Sequence, residues 1–134
     1  MSEFYPVEAL HQRLRAGTKA KNIAAIADLG QGGCIHGDGA GRPLLIVPSL
    51  VNRYYVLDIA PERSLLDHLD QAGFAPYVVD WDRPGEIERG FTLTDYIAGR
   101  LESILEVILE RAGRPPALIG YCMGGLLALA LAQR

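Results

Sequence analysis

The chain has little cysteine and no structural pattern for it. Only Cys34 and Cys122 occur in 134 residues, too few for a disulfide framework. No C-x-x-C and no His/Cys spacing marks a metal site. Positive charge is not in excess. Thirteen Lys+Arg against sixteen Asp+Glu leave a net charge of −3, which argues against a nucleic-acid surface. The most apolar run, residues 118–132, is shorter than the roughly 18 residues of a membrane helix and is broken by Gly120, Gly124 and Gly125. Residues 1–17 set Glu3, Glu8, His11, Arg13 and Arg15 among the apolar positions, so no signal-peptide core is present. Together these absences predict a chain in the reducing cytoplasm, with free thiols and no transmembrane segment.

What is abundant is apolar residue, 49% of the chain. That share excludes intrinsic disorder and predicts one modest core. In residues 6–29, Val7, Leu10, Leu14, Ile23, Ile26 and Ala27 recur at helical spacing, with Gly17 as an interruption. Residues 30–42 read GQGGCIHGDGAGR, six glycines in thirteen positions, which predicts a flexible loop or linker. No nucleotide-binding glycine spacing is present and no strand precedes it. Cys34 takes no role there.

From Pro43 the pattern changes. Leu44-Leu45-Ile46-Val47, ended by Pro48, reads as a buried strand. Residues 64–72 read as a helix of about three turns with Leu65, Leu66, Leu69 and Ala72 on one face and Gly73 as a stop. Residues 74–79 read as a second strand, followed by the polar loop Asp80-Trp81-Asp82-Arg83-Pro84-Gly85. Thr92 or Thr94 can cap the next helix, with Asp95 in its first turn. Ile97, Leu101, Ile104, Leu105, Ile108 and Ala112 form its apolar stripe. Gly113 and Pro115 end it. Residues 117–120 read as a third strand and 123–133 as a third helix. Strands and helices in alternation predict a parallel sheet flanked by helices, with a site beyond the strand carboxyl ends.

The third such loop carries chemistry. Gly120-Tyr121-Cys122-Met123-Gly124-Gly125 is G-x-C-x-G between strand and helix, the nucleophile-elbow pattern with cysteine in the serine position. The sharp turn strains the nucleophile's backbone and crowds its neighbours, which explains Gly120 and Gly124. The thiol would stand at a helix N-terminus, which favours negative charge, with the N–H of Met123 aimed at a developing oxyanion. The alternative is a small buried cysteine beside packing glycines. The strand–turn–helix setting favours the nucleophile.

These residues resemble a known family. The segments PLLIVPSLVNRYYVLDIAPERSLLDHL, VVDWDRPGE, FTLTDYI and GYCMGGLLALALA are similar to the core of poly(3-hydroxyalkanoate) synthases, which belong to the α/β-hydrolase superfamily. They cover about two-thirds of the chain in the same order. The resemblance implies an acyltransferase in which Cys122 takes the acyl group of a hydroxyacyl-CoA and passes it to a growing polyester. It implies no cofactor. It leaves room for a second, different synthase subunit or a homo-oligomer, and for association with a polyester granule. The second oxyanion donor in this fold comes from the loop after the first of the three strands, here the N–H of Leu50 or Val51. Asn52 is open to a direct polar role or to turn stabilisation. Arg53 is open to a CoA phosphate or to a surface ion pair. Asp80 is open to the crevice or to a loop cap.

Cys122 lies 12 residues from Arg134, and the triad order nucleophile, acid, histidine therefore finds no partner after it. His11, His36 and His68 all precede it; His68 falls on the polar side of a helix and His36 in the glycine-rich stretch. The strand 117–120 lacks further parallel neighbours and would form an apolar edge. The last helix is apolar all round and so predicts burial on every side. The expected organisation is an N-terminal helical segment and glycine-rich linker over 1–42. Residues 43–134 are then the N-terminal portion of an α/β-hydrolase domain, with a three-stranded parallel core, truncated after the nucleophile helix. The alternatives to a synthase are a thioesterase or esterase of the same fold, in which water replaces the chain-end hydroxyl, or a non-catalytic fragment or interaction module.

Overall fold

The computed structural model describes residues 25–28, 34–36, 41–51, 54–81 and 85–134. Three strands lie where the apolar runs placed them: β3 (Arg42–Val47), β4 (Phe74–Asp80) and β5 (Ala117–Gly120). They pair in parallel, with β3 between the other two. Two shorter strands extend the sheet: β1 (Ala25–Asp28) and β2 (Cys34–His36). β1 pairs with β2 and β2 with β4, both antiparallel, giving the order β1-β2-β4-β3-β5.

The two short strands correct the sequence expectation. Ala25–Asp28 was expected in a helix and Cys34–His36 in a glycine loop. Each segment is too short for local propensity to decide its state. The free backbone groups along the open edge of β4 take up β2, and β2 in turn takes up β1. The rest of the expected helical segment, residues 6–24, lies outside the described residues, as does most of the glycine-rich stretch.

Alternation along β3 divides the core in two. Leu45 and Val47 face one side, with Ala75, Tyr77, Val79, Trp81, Leu101, Ile104, Ile108, Leu127, Ala128 and Leu131. Ile46 faces the other, with Tyr54, Tyr55, Leu57, Leu66 and Val78. The connections dictate this split. β4 lies on one side of β3 and β5 on the other, so two crossovers of the same hand put their helices on opposite faces. α1 (Leu65–Gln71) covers the second face. It is two turns rather than three, capped by Ser64, whose Oγ accepts from Asp67 N–H at 3.0 Å. Only Leu66 of its expected apolar face is buried.

The second crossover starts as a π-helix, Asp95–Leu101, and continues as α2 (Glu102–Ala112). At the end of the π-helix Gly99 O accepts from the Glu102 N–H and from Ser103 Oγ, the latter at 2.8 Å. Gly113, at φ 68°, closes α2 in the left-handed conformation. Thr92, not Thr94, is the cap. Its N–H and hydroxyl donate to Asp95 Oδ2 at 2.7 and 2.8 Å, and its Oγ1 accepts from Asp95 N–H at 3.4 Å. The Thr92 N–H, then its hydroxyl, hold the Asp95 carboxyl below the usual carboxylate value.

α3 (Met123–Ala132) packs beside α2 on the first face. It buries Leu127, Ala128 and Leu131, whereas Leu126 and Leu129 are 71% and 59% exposed. The all-round burial expected of it is therefore not found. Its approach to the sheet is set by Gly124, where an added Cβ would overlap Val47 O and lie 2.7 Å from Pro48 O. A Cβ on Gly120 would overlap Gly125 Cα and lie 2.8 Å from Gly124 O, while one on Gly125 would have its nearest neighbour at 4.0 Å. No helix among the described residues is long and apolar enough to cross a membrane.

Gly124→Ala and Gly120→Ala will destabilise the fold severely, because the obstructing atoms are backbone. Gly125→Ala will leave urea stability unchanged or raise it by up to about 1 kcal/mol. The Asp95 cap contributes stability that is fully present above the unfolded carboxylate value of about 3.9. That contribution disappears as pH falls through the lower folded value. The melting-temperature difference between the wild type and Asp95→Asn, clear at pH 6, will close on acidification.

Candidate active site

β3, β4 and β5 deliver three loops to one end of the sheet, and the Val47–Pro48 peptide lies at their meeting point. Val47 is opposite Gly120 in the β3–β5 register. One step further, Tyr121 N–H donates to Val47 O at 3.0 Å. Pro48 O accepts the indole Nε1–H of Trp81, just past β4, at 3.0 Å in a buried setting. Gly124 packs against both carbonyls from the helix side. The β3 loop is thus fixed by β4, β5 and α3 at two successive carbonyls.

Cys122 stands on the turn between β5 and α3. Its φ is 56° and ψ −128°, and it is the one non-glycine residue with positive φ among the described residues. Such a conformation costs about 1–3 kcal/mol and survives where its surroundings over-determine it. Here Gly124 N–H donates to Tyr121 O and Gly125 N–H to Cys122 O, each at 2.9 Å. The thiol is free and exposed. Met123 is the first residue of α3, so its N–H has no intrahelical acceptor.

The loop after β3 runs beside this turn. Ser49 is buried, and its Oγ accepts Val51 N–H at 3.1 Å. That hydrogen bond uses the amide of Val51, a residue 83% exposed. Leu50 packs its side chain against the first core. Asn52 and Arg53 lie outside the described residues. Asp80 ends β4 opposite Cys34 of β2 and is half-buried.

The described histidines are not gathered at the thiol. His68 is exposed on α1. His36 lies on β2, separated from β5 by β4 and β3, about 14 Å away at the usual strand spacing. His11 lies outside the described residues.

Sequence reasoning missed a cluster next to this crevice. The Trp81 ring meets Tyr96 edge-on at 5.5 Å between centroids, and Tyr96 meets Phe91 at 5.2 Å. Arg100 lies over Phe91 at 5.3 Å and 3.9 Å from Glu88 Oε1. Glu88 is buried, and its Oε2 accepts Gly85 N–H at 2.7 Å. Burial, then the charge of Glu88, pushes the Tyr96 phenol above its ordinary value, so it stays neutral at pH 7. A lone tryptophan inside an otherwise polar loop was the available signal. An open cavity of about 400 Å³ lined by Phe91, Asp95, Gly99, Arg100 and Ser103 adjoins the cluster, and Cys122 does not line it.

Comparison with known proteins agrees with this fold. A family model described as the alpha/beta hydrolase fold matches residues 42–134. Poly(3-hydroxyalkanoate) polymerase subunit PhaC of Haloferax mediterranei is 38% identical over 88 residues, which are 65% of this chain and 18% of that protein. The subunit of the same name from Synechocystis is 38% identical over 92 residues, 68% of this chain and 24% of that protein. The one from Cupriavidus necator is 38% identical over 87 residues, 64% and 15%. The matched stretch is thus less than a quarter of each of these relatives. Among solved structures, a thioesterase domain from the curacin biosynthetic pathway superposes with a TM-score of 0.56 at 20% identity, covering 79% of this chain and 37% of its own. An epoxide hydrolase from Vigna radiata gives 0.51 at 14%, covering 75% and 32%. With its parallel strands and helices in hydrolase order, and with the family model matching residues 42–134, the chain belongs to the alpha/beta hydrolase fold family and is similar to poly(3-hydroxyalkanoate) polymerases.

Proposed function

We propose that Cys122 is the nucleophile of an acyltransferase of the polyhydroxyalkanoate-synthase type, using a hydroxyacyl-CoA as donor. The observation that carries this reading is the cysteine at φ 56° between β5 and α3, within a sequence similar to such polymerases. A backbone held in that conformation projects its side chain from the sheet end and costs stability that a merely structural cysteine has no reason to require.

The chemistry has two halves. The Cys122 sulfur attacks the thioester carbonyl carbon as its thiol proton leaves. A carbon–sulfur bond forms, and negative charge collects on the former carbonyl oxygen. The N–H of Met123 stabilises that charge from the start of α3. The second donor is the N–H of Leu50, because the Val51 amide is engaged by Ser49. The bond to the CoA sulfur then breaks and CoA leaves as the thiol after taking a proton. In the second half, a chain-end hydroxyl attacks the acyl-cysteine, a new ester forms, and the Cys122 thiol is restored.

The proton carrier for these steps is not among the described histidines. Acylation of Cys122 is therefore the step assigned to these residues, and sustained polymerisation by the 134 residues alone is not expected. Residues 43–134 carry the acylated unit. A cytoplasmic pool of acyl-CoA is its donor, and an insoluble polyester would hold the chain at a granule surface.

The test is intact-mass analysis of the chain after incubation with a 3-hydroxyacyl-CoA at pH 8. One acyl adduct is expected, mapping to the peptide that contains Cys122 and absent in Cys122→Ala. An unmodified wild type, or an adduct that persists in Cys122→Ala, overturns the proposal. Free acid released without polymer would move the assignment to a thioesterase.

A further inference from the structure

We infer that Trp81 is a positioning residue for the oxyanion site, acting through Pro48 rather than touching substrate. This rests on the acyl-transfer reading of Cys122. The proposed donor at Leu50 belongs to the loop that leaves β3 at Pro48. Proline has no N–H to give the ladder, so the strand's hydrogen bonding to its neighbours stops there. From Pro48 on, two hydrogen bonds hold the loop besides its packing. Ser49 Oγ accepts Val51 N–H and shapes the turn internally. Trp81 Nε1–H donates to Pro48 O and ties the turn to the neighbouring strand.

The indole is itself held in place. Trp81 is buried in the first core, and Tyr96 braces its ring edge-on. Tyr96 is braced in turn by Phe91, and Phe91 is covered by Arg100, beside buried Glu88. A rigid indole therefore anchors the carbonyl two residues before the Leu50 amide. Without that anchor Pro48 O loses a buried donor and the loop can relax away from Gly124. A shift of about 1 Å in such a catalytic group can cost about 100-fold.

Two reactions of the same thiol separate positioning from folding. Acylation by a thioester builds an oxyanion and needs the Leu50 amide. Alkylation by iodoacetamide displaces iodide at a saturated carbon and builds none. Trp81→Phe, which keeps a ring and removes the N–H, should slow acylation of Cys122 by ten-fold or more, up to about 100-fold. The alkylation rate should remain within two-fold. Trp81→benzothienylalanine, an isostere that lacks only the donor, should behave the same way and covers the case in which phenylalanine packs badly. Unchanged acylation in the isostere, or equal slowing of both reactions, overturns the inference. A wild-type chain that alkylates but takes no acyl group fails differently: it overturns the nucleophile reading, and the role of Trp81 with it.

Discussion

The contact between Gly124 and the Val47–Pro48 carbonyls governs the rest of this architecture. At Gly124 helix α3 meets the sheet backbone to backbone, with no side chain between them. That closeness forces the chain to turn from β5 into α3 within two residues, and Cys122 takes up the whole reversal at φ 56°. The strain is local and the restraint is not. Tyr121 N–H bonds to β3, Gly124 and Gly125 N–H bond back into the turn, and the apolar side of α3 is buried with α2. A distortion of about 1–3 kcal/mol is small against that many contacts.

The same contact explains how the proposed pair of oxyanion donors can be pre-set. Met123 N–H is fixed because it begins α3, and α3 is fixed by Gly124. Leu50 N–H follows Pro48, and Pro48 is fixed by Trp81 and by the same glycine. Both proposed donors thus refer to one rigid point, so their separation does not depend on loop sequence further out. The buried Glu88–Arg100 neighbourhood fits this picture. A desolvated ion pair is weak evidence for stability, since removing two charges from water is costly. Here it fixes Phe91 and Tyr96 against the indole, so its benefit is geometric.

Much of this was legible in the sequence because the relevant signals are local. Leu44–Val47, the 97–112 stripe and the strand–glycine–helix pattern around Cys122 each declare their state within a few residues. The stripe placed Leu101, Ile104 and Ile108 in the core, where they are fully buried. The elements that escaped depend on distant partners. Ala25–Asp28 and Cys34–His36 have no strand pattern of their own and form on the edge of β4. The π-helical turn at Asp95–Leu101 has no compositional mark; Gly99 and Ser103 serve it in ways visible only once the register is known. The aromatic series from Trp81 to Phe91 escaped for the same reason. Its members are spaced by loops, and nothing in their order announces that the indole reaches Pro48, 33 residues back along the chain.

The end of β3 is where these supports converge. Among the described strands β5 pairs with β3, and the Cys122 turn leaves the sheet beside it. The turn is held to β3 through one backbone hydrogen bond at Tyr121 and one glycine contact at Gly124. The exposed leucines of α3 lie on the helix face that these contacts leave uncovered. Geometry at Cys122 is therefore most sensitive to what happens at the end of β3. That is why a tryptophan on the far side of β3, bonded to Pro48 O, has leverage over the proposed donor at Leu50.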